Sequence, residues 1–228
     1  GMPSMYEQIM GFPLFKGISK DHVSMILAKA NITFNNYKTG EIVANCGSEC
    51  DHIGFIARGS LRCAYSSPKG DVKITYTLST GDMIGADALF GIDRTFPIDI
   101  KALATTSILT FAKDEYMNLL REDEIFLMNY LNHISLRSQC GRIAVGNYEA
   151  HGVAGLIARW LLTMTGQRCK DINFEIAPSL MEILPPAYTD SSSGDLQFLA
   201  EKGVIAVYGD RIEVPDRREY LDFVDTAE

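Results

Sequence analysis

Apolar and polar residues alternate with a period of two through much of the segment from residue 38 to residue 111. The alternation is clear at Leu61, Cys63 and Tyr65, and again from Val72 to Leu78. It predicts antiparallel β-strands. Turn glycines recur every 11 or 12 residues, at Gly47, Gly59, Gly70 and Gly81. This rhythm is typical of short strands folded back and forth, and it predicts a jelly roll preceded by a packed helix from Lys20 to Ala30.

Helical periodicity replaces the alternation from Lys113 onward, first in a short helix and then in a long run without proline from Glu124 to Asn147. One stripe of this run has the steps of four and three of a coiled-coil seam: Leu127, Leu131, Ile134, Ser138, Gly141 and Val145. A second stripe lies on another face: Ile125, Met128, Leu136, Cys140 and Ile143. Two apolar faces predict two partners, the roll of the same chain and the same helix of a second copy. The alternative is a helix buried within one subunit.

The C-terminal part of the sequence has the order helix, strand, helix, turn, helix and hairpin. The predicted elements are a helix over 152–165, a break from Gly166 to Asp171, a strand from Ile172 to Ile176, a helix from Pro178 to Leu184, a Pro185-Pro186 turn and a helix from about Ser191 to Glu201. A hairpin from Val204 to Val207 and from Arg211 to Val214 follows, joined through Tyr208, Gly209 and Asp210. This order is typical of a winged helix-turn-helix.

The predicted fold class is therefore α+β, an N-terminal double-stranded β-helix (jelly roll) with flanking helices, a long dimerisation helix and a C-terminal winged helix-turn-helix. The expected limits are 2–122, 123–150 and 151–228. The chain has 228 residues, 46% of them hydrophobic and 22% charged, which suits a folded protein with a sizeable core. No apolar run is long enough for a membrane span and no signal peptide is recognisable, so we expect a cytoplasmic protein without a membrane partner.

Five cysteines are an odd number, which suits reduced thiols. Cys46 and Cys50 have the spacing of half a metal or iron–sulfur site, but no second pair follows. Histidines are dispersed, at positions 22, 52, 133 and 151, and form no ligand cluster with glutamates. We therefore predict no metal site and no catalytic residue.

Several short sequence motifs in the predicted roll are more specific than the strand pattern alone. These motifs are Gly40-Glu41, Gly47, Ile53 to Ile56, Gly59-Ser60-Leu61, Gly70, Gly81-Asp82 and Ile84 to Phe90. Three helical segments outside the roll add to these motifs: Lys113 to Leu119, Ile125 to Asn147 and Gly155 to Leu162. Together they resemble the Crp/Fnr family of bacterial regulators along nearly the whole chain. The resemblance implies a dimeric transcription regulator, not an enzyme, with a cyclic-nucleotide-binding type β roll as sensor. The implied partners are a second copy, double-stranded DNA and RNA polymerase.

In nucleotide-binding members, a Glu shortly after the position of Gly85 binds the ribose, and an Arg about ten positions later neutralises the phosphate. The matching residues here are Ala86 and Phe96, so we do not expect cyclic AMP to bind and no cofactor is required. The candidate effector pocket consists of Tyr76, Gly85, Ala86, Asp87, Leu89, Phe96, Pro97 and Arg142. Two alternatives remain for this pocket. It binds an unknown small molecule other than cyclic AMP, or its own apolar side chains fill it as part of the core.

The segment that matches the family's recognition helix, from Tyr188 to Leu199, contains no Lys or Arg. The candidate DNA contacts are Thr189, Asp190, Ser191, Ser192, Ser193, Gln197 and Arg211 on the wing, with Thr189 or Asp190 alternatively a helix cap. From Asp171 to Glu228, four basic residues face thirteen acidic ones, a net charge of −9. Acidic surfaces oppose the counterion release that drives binding to phosphates, so DNA binding is weakened.

Three interpretations follow. The first is a dimeric Crp/Fnr-type regulator that binds DNA through its winged helix under the control of the β roll. The second is a Crp/Fnr-like protein with a degenerate winged helix that contacts protein instead of DNA. The third is an enzyme on a jelly roll, as in metal-binding cupins, which the dispersed histidines disfavour.

Overall fold

The computed structural model describes residues 5–147, 152–177 and 192–226. The strands are β1 (Ile32–Tyr37), β2 (Ile42–Ala44), β3 (His52–Arg58), β4 (Ser60–Ser66), β5 (Val72–Ser79), β6 (Met83–Ile84), β7 (Asp99–Ala102), β8 (Thr106–Ala112), β9 (Lys170–Ile176), β10 (Ala206–Tyr208) and β11 (Arg211–Val214). The helices are α1 (Met5–Met10), α2 (Lys20–Lys29), α3 (Lys113–Glu122), α4 (Glu124–Asn147), α5 (Gly152–Met164), α6 (Ser192–Glu201) and α7 (Arg217–Thr226). The α+β class and the antiparallel roll are confirmed.

The chain divides into two compact units. The first comprises Gly1–Arg62 and Leu78–Leu136, and the second comprises Cys63–Thr77 and Arg137–Glu228. This division differs from the expected limits of 2–122, 123–150 and 151–228. The outer part of the β4–β5 hairpin, Cys63–Thr77, belongs with the C-terminal segment, although its sequence lies in the middle of the roll.

Antiparallel pairing builds the first unit around a four-stranded sheet in the order β1-β8-β3-β6. Strands β2 and β7 of the same unit also pair antiparallel. Buried aromatic rings fill the space beside the first sheet: Phe12 stacks on Phe55 at 5.5 Å, and Phe15 meets Phe126 edge-on at 5.1 Å. Such rings bury large apolar areas and prefer these offset and T-shaped arrangements. The aromatic cluster thus joins the N-terminal turn, the sheet and α4.

Tight packing fixes the turn between β3 and β4. Gly59 has a φ of 96°, a conformation that strains any other residue. A Cβ at this position would lie 2.5 Å from the Thr105 carbonyl oxygen. The buried Thr106 hydroxyl donates to the Ala104 carbonyl at 2.9 Å and accepts from the Ser60 N–H at 3.2 Å. Only glycine fits where the two strands approach so closely.

Helix α4 begins and ends where the sequence predicts, at Glu124 and Asn147. The buried Asp123 caps it by accepting a 2.7 Å hydrogen bond from the Phe126 N–H, and its other carboxylate oxygen lies 3.0 Å from His22 Nδ1. A capping carboxylate satisfies an otherwise orphaned N–H and lies favourably at the positive end of the helix dipole.

The prediction that the second stripe of α4 packs on the roll was wrong. Four of its residues, Ile125, Met128, Leu136 and Ile143, are 40–48% exposed. The residues buried in the first unit are instead Phe126 and Tyr130, which contact Tyr116 at 5.5 and 5.3 Å. Aromatic side chains bury more area than the aliphatic stripe, so they determine which face of the helix turns inward.

The second unit contains a sheet in the order β10-β11-β9-β5-β4. β9 places Ile172, Phe174 and Ile176 on its buried face. Trp160 of α5 stacks on Phe174 at 5.9 Å, and the Tyr220 hydroxyl of α7 donates to the Ala154 carbonyl at 2.7 Å. Helices α5 and α7 therefore pack together with the sheet into one core.

Two guanidinium groups cap the C-terminal end of α5. Arg137 Nη1 donates to the Thr165 carbonyl at 2.8 Å, and Arg217 Nε donates to the Thr165 hydroxyl at 2.9 Å. Arg217 also reaches the Leu161 carbonyl at 3.2 Å. Cations at this end satisfy the last carbonyls and complement the helix dipole.

The predicted C-terminal elements are mostly present. α6 and the strand β11 match the prediction, but the first hairpin strand is Ala206–Tyr208 instead of Val204 to Val207. Tyr208 pairs directly with Arg211, so the turn has two residues, Gly209 and Asp210, and not three. The predicted helix from Pro178 to Leu184 and the Pro185-Pro186 turn lie outside the described residues.

Candidate functional site

The loop of residues 85–90 follows β6 in the first unit and contains several candidate pocket residues. Gly85 has a φ of 84°, and a Cβ there would lie 2.6 Å from the His52 carbonyl oxygen. The buried Cys50 thiol is oriented towards the His52 and Gly85 carbonyls, at 3.3 and 3.6 Å, while its backbone N–H donates to the Arg94 carbonyl at 2.8 Å. Cys50 thus contacts both the 85–90 loop and the loop that carries Phe96.

Helix α4 contacts the 85–90 loop with side chains from two successive turns. The Tyr130 hydroxyl donates to the Ala86 carbonyl at 2.9 Å, and His133 Nε2 lies 3.3 Å from the Asp87 carboxylate. The rings of Phe90 and Tyr130 meet edge-on at 6.0 Å. A shift of the 85–90 loop must therefore move these side chains of α4 or break their contacts.

Burial keeps the hydrogen-bond donors of this site protonated. Burial, with the negative charge of Asp87 and the Cys50 thiol nearby, raises the pKa of Tyr130 to about 12. Burial likewise raises the pKa of the Cys50 thiol, although a hydrogen bond to the His52 backbone opposes this. At neutral pH the phenol and the thiol are both neutral donors.

The two residues that match the family's nucleotide contacts do not have the required chemistry. Ala86 is buried and has only a methyl group. Phe96 is also buried, with its ring 6.2 Å from that of His52 and its N–H donating to the Ser48 carbonyl at 2.9 Å. The Asp87 carboxylate beside them is half exposed and repels a phosphate. Neither matched position therefore supplies a carboxylate or a guanidinium.

The remaining predicted pocket residues are divided between the units. Leu89 is fully buried and Pro97 is exposed, both in the first unit. Tyr76 is buried in the second unit, where Cys63 and Cys169 are nearby and burial holds the pKa of its hydroxyl well above the usual range. Arg142 is exposed on the part of α4 in the second unit.

The predicted dimer seam is uncovered in a single chain. Leu131 and Val145 are 46% and 58% exposed, and Ser138 is exposed as well. Leu127, Ile134 and Gly141 are partly exposed. An amphipathic stripe of this length is normally covered by a partner helix.

The candidate DNA contacts are partly described. Thr189, Asp190 and Ser191 lie outside the described residues, whereas Ser192 and Ser193 form the first turn of α6. Gln197 is exposed and its amide donates to the Glu201 carboxylate at 3.3 Å. Arg211 is exposed on β11, with its guanidinium 5.1 Å above the Tyr208 ring.

Sequence reasoning missed three residues of this site: Cys50, Tyr130 and His133. Tyr130 and His133 follow Phe126 at helical spacings of four and three, which is the signal that would have identified this face of α4. Across the described residues, no group of three His, Cys, Asp or Glu side chains is arranged to hold a metal ion. Nor does any described helix combine the length and hydrophobicity of a membrane span.

Comparison with known proteins supports the architecture. Residues 34–123 match the cyclic nucleotide-binding domain family. The sensor domain of the transcriptional regulator DNR from Pseudomonas aeruginosa superposes with a TM-score of 0.50 at 16% identity, over 64% of this chain and 93% of that one.

Two longer structures cover more of the chain. The catabolite activator protein of Thermus thermophilus has a TM-score of 0.48 at 20% identity, over 93% of this chain and 99% of that one. A transcriptional regulator assigned to the Crp/Fnr family from Eubacterium rectale has a TM-score of 0.48 at 17% identity, over 95% and 99%. No curated protein matches the sequence. Residues 34–123 therefore match the cyclic nucleotide-binding domain family, and the likeness to the DNR sensor domain supports this fold for the first unit.

Proposed function

We propose that the protein is a dimeric transcription regulator in which the β roll controls a DNA-binding C-terminal unit. The observation that carries this proposal is that α4 has two different faces. One face bonds to the 85–90 loop through Tyr130 and His133, and the other is the exposed seam through Leu131. A helix attached to a sensor loop and open to a second copy is suited to convert a change in the loop into a change in the dimer.

The mechanism follows from these contacts. A signal that moves Ala86 and Asp87 moves the Tyr130 and His133 side chains and rotates α4 against its partner helix. The rotation changes the separation of the two C-terminal units, which must match about 34 Å of duplex for both to bind successive major grooves. A signal need only favour one of the two arrangements to shift the population between them.

Dimerisation is tested by a charge on the seam. We expect the wild-type protein to sediment as a dimer and Leu131→Glu as a monomer, because the variant puts two carboxylates into an apolar interface. Asn132→Glu is the matched control, since this neighbouring residue is also exposed on α4 but lies outside the seam. A wild-type protein that sediments as one chain would contradict the proposal.

DNA binding is tested by selecting bound duplexes from a random library at low salt. We expect a palindromic site whose affinity falls as the salt concentration rises, because phosphate contacts release counterions. Arg211→Ala should weaken binding to all selected sequences if Arg211 contacts the backbone. The absence of enrichment even at low salt would refute the proposal.

We further propose that the roll does not respond to cyclic AMP. The support is the methyl group of Ala86 and the buried ring of Phe96 at the two matched positions. Titration calorimetry with cyclic AMP should give no heat of binding, and the nucleotide should not alter duplex affinity. Saturable binding at a physiological concentration would overturn this part.

A second candidate function, protein binding by the C-terminal unit, has its own support. Phe198, Val207 and Tyr208 are exposed there, and Phe198 lies on α6 with 48% of its surface accessible. Exposed aromatic residues in an acidic segment are suited to a partner with a basic, partly apolar surface. Failure of the duplex selection, together with loss of a partner on Phe198→Ser, would favour this function.

A further inference from the structure

The β4–β5 hairpin joins the C-terminal unit by strand pairing. In register, Val72 faces Ile176, Lys73 faces Glu175, Ile74 faces Phe174 and Thr75 faces Asn173. Past the hairpin pairing, the Ala177 N–H donates to the Asp71 carbonyl at 2.8 Å. A strand from the middle of the roll sequence therefore completes the sheet of the second unit.

The side chains of β5 and β9 complement each other on both faces of the strand pair. Val72, Ile74, Phe174 and Ile176 are buried, so the pairing shields an apolar surface. On the other face Lys73 and Glu175 are exposed and directly opposed, and Glu175 is also opposed to Arg211 of β11. Without β5, one edge of β9 would present unpaired backbone groups to solvent.

The pairing ends at an irregularity. Between Thr75, which faces Asn173, and Thr77, which faces Lys170, β5 has one residue and β9 has two. The extra residue coincides with Asp171, which has a φ of 50°. Bulges of this kind interrupt a ladder and bend the strand. The regular part of the β5–β9 ladder is thus short.

We propose that residues 72–77 of β5 and β9 (Lys170–Ile176) form a latch that opens and closes locally, without unfolding of the roll, and that its state controls DNA binding by the C-terminal unit. Each strand of the hairpin continues directly into the roll sequence, so a change in the roll reaches the latch along the backbone. Control of DNA binding by the latch rests on the proposed function, whereas its local opening does not.

Charge reversal tests local opening in the full chain. Lys73→Glu places a second carboxylate opposite Glu175, and like charges directly opposed destabilise a strand pair. We expect residues 170–176 to exchange their amide hydrogens about two- to fivefold faster, with no change in β3 and β8. Lys69→Glu is the matched control, because Lys69 is exposed in the hairpin turn and has no partner position on β9.

Trp160 provides a second readout. It is the only tryptophan of the chain and stacks on Phe174 of the latch. Its emission should shift to longer wavelength in Lys73→Glu and not in Lys69→Glu. Equal behaviour of the two variants in exchange and emission would overturn the latch. Exchange of residues 170–176 at the same rate as β3 and β8 in the wild-type protein would also overturn it, since the pairing would then open only on global unfolding.

A reversible crosslink tests control of DNA binding. Directly opposed residues in an antiparallel pair have Cα atoms about 4.5–5.5 Å apart, within the range of a disulfide. Oxidised Lys73→Cys/Glu175→Cys should slow exchange at residues 170–176 and change affinity for the selected duplex at least threefold, and reduction should reverse both. Slowed exchange with unchanged duplex affinity would refute control by the latch. A wild-type protein that binds no duplex would refute the proposed function instead, and the exchange experiment alone would then decide whether the latch exists.

Discussion

Replacing Tyr130 with phenylalanine removes one hydrogen bond between α4 and the 85–90 loop and keeps the aromatic ring. The lost bond is the 2.9 Å contact from the Tyr130 hydroxyl to the Ala86 carbonyl, and both residues are buried. A buried carbonyl left without its donor costs about 1–3 kcal/mol. We expect Tyr130→Phe to lower the free energy of unfolding of the first unit by about 1–2 kcal/mol.

Tyr116→Phe is the matched control, because the Tyr116 ring lies 5.3 Å from the Tyr130 ring but its hydroxyl makes no such hydrogen bond to the described residues. Its hydroxyl is buried and finds no hydrogen-bond partner among the described residues. Burial raises the pKa of this hydroxyl far above the usual range, so it stays a neutral, desolvated group. Removing it should raise the free energy of unfolding by up to about 1 kcal/mol.

Scanning calorimetry and urea unfolding measured by circular dichroism compare the two variants. Tyr130→Phe should lower the melting temperature of the first unit by about 3–8 °C. Tyr116→Phe should leave it unchanged or raise it. If both variants lose the same stability, the effect comes from ring packing and not from the hydrogen bond, and the reasoning is refuted.

The remaining predictions concern capping, the turn, ionisation and the end of α5. Asp123→Ala should cost about 1–2 kcal/mol of unfolding free energy by removing the cap of α4, and Asp123→Asn much less. Gly59→Ala should cost at least about 1 kcal/mol in the same urea titration, because of strain and the contact with Thr105. The unfolded chain loses the Tyr130 proton near pH 10 and the folded chain near pH 12; stability should therefore fall as the pH rises from 10 towards 12, less steeply in Tyr130→Phe. Arg217→Ala should cost about 2–3 kcal/mol in the second unit, measured by Trp160 emission in urea, whereas full stability would contradict the capping role.

The long helix was predictable because its signal is local and repeated. The apolar periodicity from Glu124 to Asn147 continues for 24 residues without proline, and the structure has the same limits. Which face of α4 is buried was less predictable, because a count of aliphatic positions leaves out Phe126 and Tyr130. The buried face depends on rings contributed by Phe15 and Tyr116, which lie elsewhere in the sequence.

Helix α7 had a sequence signal that was overlooked. Asp216 follows a proline, and its carboxylate accepts a 2.9 Å hydrogen bond from the Glu219 N–H. Tyr220 and Val224 are buried four residues apart on the inner face. Asp222 and Asp225 of the same helix are exposed, so α7 is amphipathic, with an apolar inner face and an acidic outer face.

The candidate site was predictable only in part. Ala86 and Phe96 were identified by their place in the roll sequence, and both are buried as a filled core requires. The spacing of Tyr130 and His133 from Phe126 marks their face of α4, but the partners that these residues and Cys50 contact depend on how distant segments pack. The same holds for the pairing of β5 with β9, since strands of similar apolar alternation do not specify their partners.

The pairing of β5 with β9 also constrains how the protein is made. Lys170 is translated 93 residues after Thr77, its partner in the sheet. At about 5–20 residues per second, the hairpin emerges from the ribosome roughly 5–20 s before β9 exists. During that interval its unpaired edge is open to the hairpin or the β9 of a neighbouring nascent chain, so strand exchange between copies on one polysome is the characteristic misfolding hazard of this architecture.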